Sequence, residues 1–194
     1  MQRGKIILLS GPSGSGKGTL MSFVREQHPE FVFPTTWTTR APRPGELEGT
    51  AGKKYHFVSV EDFKKGIEEN RFLEWDHHFD NYYGTPLQEV ENALAEGHTV
   101  FQELDVHGAE NIRHRLSGET IKSIFVTVHS VEDLERRILE RQPDMAQEEL
   151  AVRKERYMQE LKHKDQADYV LVNEYGQLPK TEQEFDRILK EILN

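Results

Sequence analysis

Residues 11–18 read Gly-Pro-Ser-Gly-Ser-Gly-Lys-Gly, Thr19 follows, and this stretch decides the fold. It follows the apolar run Lys5–Ser10, which predicts a buried strand, and it precedes residues 19–25, which predict the start of a helix. A glycine-rich loop with a lysine between a strand and a helix is typical of a phosphate-binding loop. Its backbone N–H groups and the helix N-terminus would surround an anion, and Lys17 would add a positive charge for the outer phosphates. The alternative is a bare turn, which needs neither three glycines nor a lysine.

One position departs from the usual form of this loop. A serine or threonine normally follows the lysine and holds magnesium, but here Gly18 follows it and Thr19 comes one residue later. The sequence Gly-Lys-Gly-Thr resembles the loop of nucleoside monophosphate kinases. We therefore expect Mg²⁺ to be held mainly through phosphates and water, with Thr19 as the candidate protein ligand.

Length and composition limit the class of protein. The chain has 194 residues, enough for one α/β domain with a buried core. Its net charge of −9 argues against nonspecific binding to nucleic acid or to an anionic membrane. The lack of cysteine excludes disulfides, thiol catalysis and zinc–thiolate sites. We expect a cytoplasmic monomer or homodimer with no signal peptide, membrane partner or nucleic-acid partner.

Strands and helices are predicted to alternate along most of the chain, which is typical of a parallel sheet with right-handed crossovers. The strands are predicted at Lys5–Ser10, Thr99–Leu104, Ser123–Val128 and Tyr169–Val172. The helices are predicted at Gly18–Gln27, Val60–Glu69, Pro86–Glu96, Ala109–Arg115, Val131–Glu140, Glu148–Lys164 and Thr181–Leu193.

Residues 35–85 interrupt this alternation and are rich in Thr, Arg, Gly, Pro and aromatic residues. They predict a small mixed-β lobe inserted into the core, with helix caps at Ser59 and Thr85. The expected organisation is a core of residues 1–34 and 91–194, an inserted lobe of residues 35–90, and a lid at residues 141–156.

The inserted lobe contains a candidate second phosphate site. Arg40 and Arg43 flank prolines, and arginine suits bidentate recognition of phosphate. Tyr55, Tyr83 and Thr85 would add hydroxyl donors in the same lobe. The alternative is a solvated basic turn.

Taken together, the motifs resemble those of the guanylate kinase family, in the family's order and over nearly the whole chain. Besides the glycine loop they are residues 38–46, 55–59, 72–75, 81–85 and 103–109. The resemblance implies an α/β fold of the P-loop NTPase type: a three-layer arrangement with a central parallel sheet, the inserted mixed-β lobe and a short lid.

The resemblance implies a site for GMP. The residues implied in GMP binding are Thr36, Arg40, Arg43, Tyr55, Glu74, Tyr83, Thr85, Glu103 and Asp105. The arginines and tyrosines would hold the phosphate, and the threonines would meet the guanine edge. Glu74 would accept hydrogen bonds from the guanine ring N–H and amino group, a donor pair that adenine lacks. From composition alone, Glu74 is expected to be a surface carboxylate. The alternative role for Asp105 is a helix cap, and both of its roles can hold together.

The resemblance also implies a site for ATP and a catalytic set. The residues implied in ATP binding are Gly11, Ser13, Gly14, Ser15, Gly16, Lys17, Gly18, Thr19 and Asn173. The residues implied in catalysis are Lys17, Arg40, Arg137, Arg141 and Arg153.

The chain departs from the family at several places. About three extra residues lie near Thr50–Lys54, which leaves the placement of Tyr55 less secure. His107 stands where glutamine is usual, and Gln102 is a polar residue in a strand that is normally apolar.

The interpretation is transfer of the γ-phosphoryl group of ATP to GMP, and also dGMP, in purine nucleotide metabolism. The alternatives are a noncatalytic scaffold related to guanylate kinase, a kinase acting on a ribose phosphate, and a nucleotide-binding switch. The intact Gly16 and Lys17 argue against the scaffold, and Glu74 favours a guanine acceptor.

Overall fold

The computed structural model describes residues 4–42, 55–78, 80–116 and 120–194. Eight strands and seven α-helices occur in those ranges, and a 3₁₀ helix at Leu161–Gln166 follows the sixth α-helix. In chain order they are β1 (Lys5–Ser10), α1 (Lys17–Gln27), β2 (Thr36–Thr38), β3 (Tyr55–Phe57), α2 (Val60–Glu68), β4 (Phe72–His78), β5 (Asn81–Pro86), α3 (Leu87–Ala95), β6 (Val100–Glu103), α4 (Val106–Arg115), β7 (Thr120–Thr127), α5 (Val131–Arg141), α6 (Gln147–Glu160), β8 (Tyr169–Val172) and α7 (Leu178–Leu193).

The strands form two four-stranded sheets. The first has the order β6-β1-β7-β8, and β7 and β8 run parallel with Ile124 opposite Tyr169. The second has the order β3-β2-β5-β4 and is mixed. The predicted α/β class with a parallel sheet and a separate mixed sheet is confirmed. In the described part of the chain, no helix is long and apolar enough to cross a membrane.

Internal contacts divide the chain into two compact units. The first unit contains Met1–Ile6, Glu30–Gln102 and Glu110–Thr120, and the second contains Ile7–Pro29, Glu103–Ala109 and Ile121–Asn194. The boundaries at residues 35 and 90 stay a prediction.

Each unit has its own apolar core. In the second unit, Ile7, Leu8 and Leu9 of β1 are fully buried because both faces of a parallel strand are covered. A separate cluster joins α5 to α6 and contains Val128, Leu134, Ile138, Leu150 and Tyr157. In the first unit, the ring of Phe63 on α2 stacks on Phe72 of β4 at 4.4 Å between centroids.

The mixed sheet has two chemically different faces. In β5, Tyr83 and Thr85 share one face, because side chains alternate along a strand, and Gly84 lies on the other. A Cβ on Gly84 would lie 2.8 Å from the Phe72 ring and 2.9 Å from the Phe63 ring. One face therefore packs on aromatic rings, and the opposite face carries hydroxyl and carboxylate groups.

Strand β4 contains a bulge that places its side chains correctly on the aromatic face and the polar face of the sheet. Phe72 pairs with Pro86 but Glu74 pairs with Thr85, so the register shifts between Phe72 and Glu74. Without the shift, Phe72 and Glu74 would point to the same face. With it, Phe72 packs on the aromatic face and Glu74 contacts Thr85 on the polar one. The backbone carbonyl of Leu73, the extra residue, accepts a hydrogen bond from Arg115 Nη1 at 3.3 Å.

The predicted elements agree with the structure to within a few residues, with two corrections. The hydroxyl of Ser59 caps α2, as predicted, by accepting from the N–H of Asp62 at 3.0 Å. The predicted cap at Thr85 is wrong, because its hydroxyl donates to Glu74 instead and Pro86 takes the cap position of α3. The predicted helix through Lys164 ends at Glu160, where the 3₁₀ turn begins.

Candidate active site

The phosphate loop follows β1 and has a shape that only glycine permits. Gly11 has a φ of 135°, and a Cβ there would lie 2.1 Å from the backbone oxygen of Val126. Gly16 has a φ of 99°, and a Cβ there would lie 2.2 Å from Nδ2 of Asn173. Side chains at these two positions would require both a strained backbone and a displaced neighbour.

The loop leads directly into α1, and Gly16 is the N-cap of that helix. No side chain caps α1, so its N-terminus presents backbone N–H groups and the positive end of the helix dipole. The Lys17 ammonium donates to the carbonyl oxygens of Gly11 at 2.5 Å and Pro12 at 3.0 Å. Gly18 and Thr19 are exposed. This arrangement places an ammonium group and N–H donors together, as an anion site requires.

Asn173 supports the loop from the end of β8. Its Nδ2 donates to the carbonyl oxygen of Ser15 at 2.8 Å, and its Oδ1 accepts from the hydroxyl of Thr181 at 3.2 Å. The side chain is 3% exposed, so these bonds fix its orientation in a buried setting. Asn173 therefore holds the loop in place, and its predicted contact with ATP stays a prediction.

Glu103 and Asp105 lie in the second unit, where Asp105 caps a helix. Its Oδ1 accepts from the N–H of Gly108 at 2.7 Å, in the first turn of α4. The capping alternative for Asp105 is thus confirmed. Glu103 interacts electrostatically with Arg25. The pKa of the Arg25 guanidinium is lowered, because the effect of burial outweighs the opposing effect of the Glu103 charge. Their predicted roles toward GMP stay predictions.

Four polar side chains form a hydrogen-bonded chain on the polar face of the mixed sheet. The Thr85 hydroxyl donates to Oε1 of Glu74 at 2.6 Å. Nε2 of Gln102 lies 3.3 Å from the hydroxyl oxygens of both Thr85 and Thr36. Glu74 is 7% exposed, Thr85 0% and Gln102 5%, so a carboxylate is held in a mostly buried position by a neutral donor. The surface-carboxylate alternative for Glu74 is wrong.

A second cluster in the same unit contains three of the residues predicted to bind phosphate. The Arg40 guanidinium lies over the Tyr55 ring at 5.2 Å, and the Tyr55 and Tyr83 rings meet edge-on at 6.2 Å. Pairing within the sheet brings the two tyrosine rings together, because Tyr55 lies opposite Thr36 of β2 and Tyr83 lies opposite Thr38 of the same strand. Arg40 Nη1 also donates to the carbonyl oxygen of Ala41 at 2.8 Å.

Two sequence predictions fall outside the described residues. Arg43, expected at the GMP phosphate, is one of them, and the extra residues near Thr50–Lys54 are the other.

Comparison with known proteins identifies the family. A family model described as guanylate kinase matches residues 3–192. The chain belongs to the guanylate kinase family. It is 41% identical over 187 residues to guanylate kinase of Synechococcus sp. (strain JA-3-3Ab), covering 96% of this chain and 82% of that protein. It is 39% identical over 195 residues to guanylate kinase of Haemophilus influenzae (strain 86-028NP), covering 99% and 86%. The crystal structure of guanylate kinase from Anaplasma phagocytophilum matches with a TM-score of 0.74 at 28% identity, covering 98% of this chain and 87% of that one.

The three arginines that the family resemblance assigns to catalysis have different surroundings. Arg137 donates through Nη2 to the carbonyl oxygen of Asn173 at 2.7 Å, and its Nε is buried without a hydrogen-bond partner. The pKa of the Arg137 guanidinium is lowered, because the effect of burial outweighs the opposing effect of the nearby Asp133 charge. Arg153 is half-buried and pairs with Glu149 at 2.8 Å, whereas Arg141 at the end of α5 is exposed. Their roles in catalysis stay predictions.

Gln102 was not among the predicted site residues of this guanylate kinase family member, although it contacts two of them. The signal in the sequence was its polarity within a strand of apolar residues. A buried amide needs hydrogen-bond partners, and here the threonine hydroxyls of the candidate base site supply them.

Proposed function

We propose that this chain transfers the γ-phosphoryl group of ATP to GMP, giving ADP and GDP, with the mixed sheet binding the acceptor and the glycine loop binding the donor. As a member of the guanylate kinase family, it is an enzyme of the kinase class. The observation that carries the acceptor assignment is the buried carboxylate of Glu74, oriented by Thr85.

Guanine recognition follows from the chemistry of this carboxylate. Guanine presents a ring N–H and an amino group side by side, and a carboxylate can accept from both because its two oxygens carry about four lone-pair positions. Adenine presents an unprotonated ring nitrogen and a C–H there, so it would offer the carboxylate neither of the two hydrogen bonds that guanine offers. Thr36 and Thr85 complete the base site, and Arg40, Tyr55 and Tyr83 bind the phosphate of GMP.

Phosphoryl transfer asks the protein for positioning and charge stabilisation rather than for a nucleophile. The loop amides and Lys17 bind the phosphates of ATP. A phosphate oxygen would compete with the carbonyl oxygens of Gly11 and Pro12 for the lysine ammonium. Arg137, Arg141 and Arg153 stabilise the charge that develops on the transferred group.

The donor atoms near the loop fit a magnesium ion that brings most of its ligands with it. Mg²⁺ prefers oxygen ligands and keeps several waters, and the Thr19 hydroxyl at the start of α1 is exposed. Among the described residues, no group of three or more His, Cys, Asp or Glu could hold a metal. When bound, Mg²⁺ would neutralise charge on the phosphates of ATP, with Thr19 as the candidate protein ligand.

A panel of acceptors tests the proposal. Purified protein with ATP and Mg²⁺ should form ADP rapidly with GMP and hardly at all with AMP, CMP or UMP, as followed by a coupled assay. Equal turnover with AMP would contradict the role of Glu74. No turnover with any monophosphate would contradict the proposed function and favour a noncatalytic scaffold.

A further inference from the structure

We propose that Gln102 is a positioning residue that fixes the hydrogen-bond direction of the base site, so that Thr36 acts as a donor and selects a 6-oxo purine over a 6-amino purine. The inference rests on the proposed function, because it assumes that a purine binds against Glu74.

The Gln102 amide donates to two threonine hydroxyls. Nε2 carries two N–H groups and no acceptor, and it lies 3.3 Å from the hydroxyl oxygens of Thr36 and Thr85. Both hydroxyls therefore receive a hydrogen bond. Gln102 is 5% exposed, so water cannot readily replace these bonds.

The Thr85 hydroxyl both accepts and donates a hydrogen bond. A hydroxyl has a single O–H, and that of Thr85 is directed to Oε1 of Glu74 at 2.6 Å. Because Thr85 accepts from Gln102 and donates to the carboxylate, its rotamer and its proton are both fixed. Thr85 thereby orients Glu74 and offers no proton to the base.

The Thr36 hydroxyl also accepts a hydrogen bond from Gln102. Its own O–H is then left to donate to another acceptor. Thr36 is only partly buried, so a ligand can reach it. A guanine or hypoxanthine ring offers a 6-oxo group that accepts this O–H. Adenine offers a 6-amino N–H, which has only the second lone pair of the Thr36 oxygen to bond to and leaves the O–H of Thr36 without an acceptor on the base. Gln102 thus disfavours adenine through Thr36, independently of the contact between Glu74 and the amino group of guanine.

A purely structural role for Gln102 makes a different prediction. If Gln102 only filled space in β6, an apolar residue of similar volume would take its place. The substitution would then change the stability of the fold and leave the choice of base unchanged. The two roles are separated by comparing acceptors that differ in one group. Inosine monophosphate differs from AMP at the 6-position and the ring N–H, and it differs from GMP only by lacking the 2-amino group.

The experiment measures kcat and KM for GMP, inosine monophosphate and AMP in the wild type, Gln102→Met and Thr36→Val. Gln102→Met should lower the ratio of kcat/KM for inosine monophosphate over AMP about tenfold, the value of one hydrogen bond in a buried site. The ratio for GMP over inosine monophosphate should change less than twofold, and the KM for ATP should not change. Thr36→Val should lower the first ratio equally, and the double variant should be no worse than Thr36→Val alone.

Ser123→Ala is the matched control. Ser123 is a 3% exposed polar residue of β7 whose hydroxyl donates to Asp168 at 3.0 Å, so its loss tests the effect of removing a buried hydrogen bond elsewhere. It should lower the melting temperature and leave both acceptor ratios unchanged. If Gln102→Met does not fold, Thr36→Val keeps the inference falsifiable, because Gln102 acts only through Thr36 and an unchanged ratio in this variant would overturn it.

The outcomes are distinguishable. If the wild type phosphorylates GMP but Gln102→Met or Thr36→Val keeps the wild-type ratio of inosine monophosphate over AMP, the inference is overturned and the proposed function stands. Additive losses in the double variant would also overturn it. If the wild type does not phosphorylate GMP, both fail.

Discussion

Replacing Glu74 by glutamine tests the acceptor site most directly. The change keeps the size of the side chain and an oxygen that can accept from Thr85, but it removes the charge and places an NH₂ group where guanine offers donors. Two hydrogen bonds to a carboxylate are lost, each contributing about 1.5–3 kcal/mol. Their sum of about 3–6 kcal/mol corresponds to a fall in kcat/KM for GMP of about 10²- to 10⁴-fold. The buried position of Glu74 favours the upper part of this range.

The assay is steady-state ADP formation with GMP and AMP as acceptors, with binding of GMP measured by calorimetry. Glu89→Gln is the matched control, because Glu89 is a partly buried carboxylate of the first unit that likewise accepts a hydrogen bond, from the N–H of Thr35 at 3.2 Å. It should keep the wild-type kcat/KM for GMP within threefold. If Glu74→Gln also stays within threefold of the wild type, Glu74 does not contact the base and the reasoning from its burial is wrong.

Three further predictions concern the loop and the helix starts. Lys17→Met should abolish turnover with the melting temperature within 2–3 °C of the wild type (about 1 kcal/mol), and measurable kcat would contradict the role of the ammonium group. Gly18→Ala should raise stability by about 0.5–1 kcal/mol in urea unfolding, because an added Cβ meets nothing within 4 Å, whereas Gly16→Ala should lower it. If the two alanines have the same effect, the loop geometry is not what requires glycine. Ser59→Ala should cost about 1 kcal/mol through loss of the cap on the N–H of Asp62, with Ser59→Asp as the variant that keeps it.

Much of the fold could be predicted because the determining signals are local. The run Lys5–Ser10 is apolar and bounded by the glycine loop, and the strand has the predicted limits. The strand Tyr169–Val172 also has its predicted limits, because its residues form a short apolar and β-branched run. The cap at Ser59 depends on residues only three apart, which sequence displays directly.

The base site shows where local signals fail. Thr85 followed by Pro86 has the pattern of a helix start, yet its hydroxyl bonds to Glu74, eleven residues earlier. The rotamer of Thr85 directs its O–H to the buried carboxylate and its oxygen to the Gln102 amide, and Pro86 takes the cap position of α3. The parallel pairing of β2 with β3, three residues each, brings Thr36 opposite Tyr55 and has no counterpart in residue periodicity. Gln102 was visible as an anomaly, but its partners were set by the sheet.

The bulge in β4 determines which changes in chain length this site can tolerate. A chain lacking Leu73 would still place Phe72 and Glu74 on opposite faces, as ordinary neighbours in a regular strand, and would lose only the burial of one leucine and the bond to Arg115. A chain lacking Trp75 would instead turn Asp76 and the residues after it to the other face relative to Glu74. Scanning by substitution would miss this difference, whereas scanning by single-residue deletion along Phe72–His78 would reveal it.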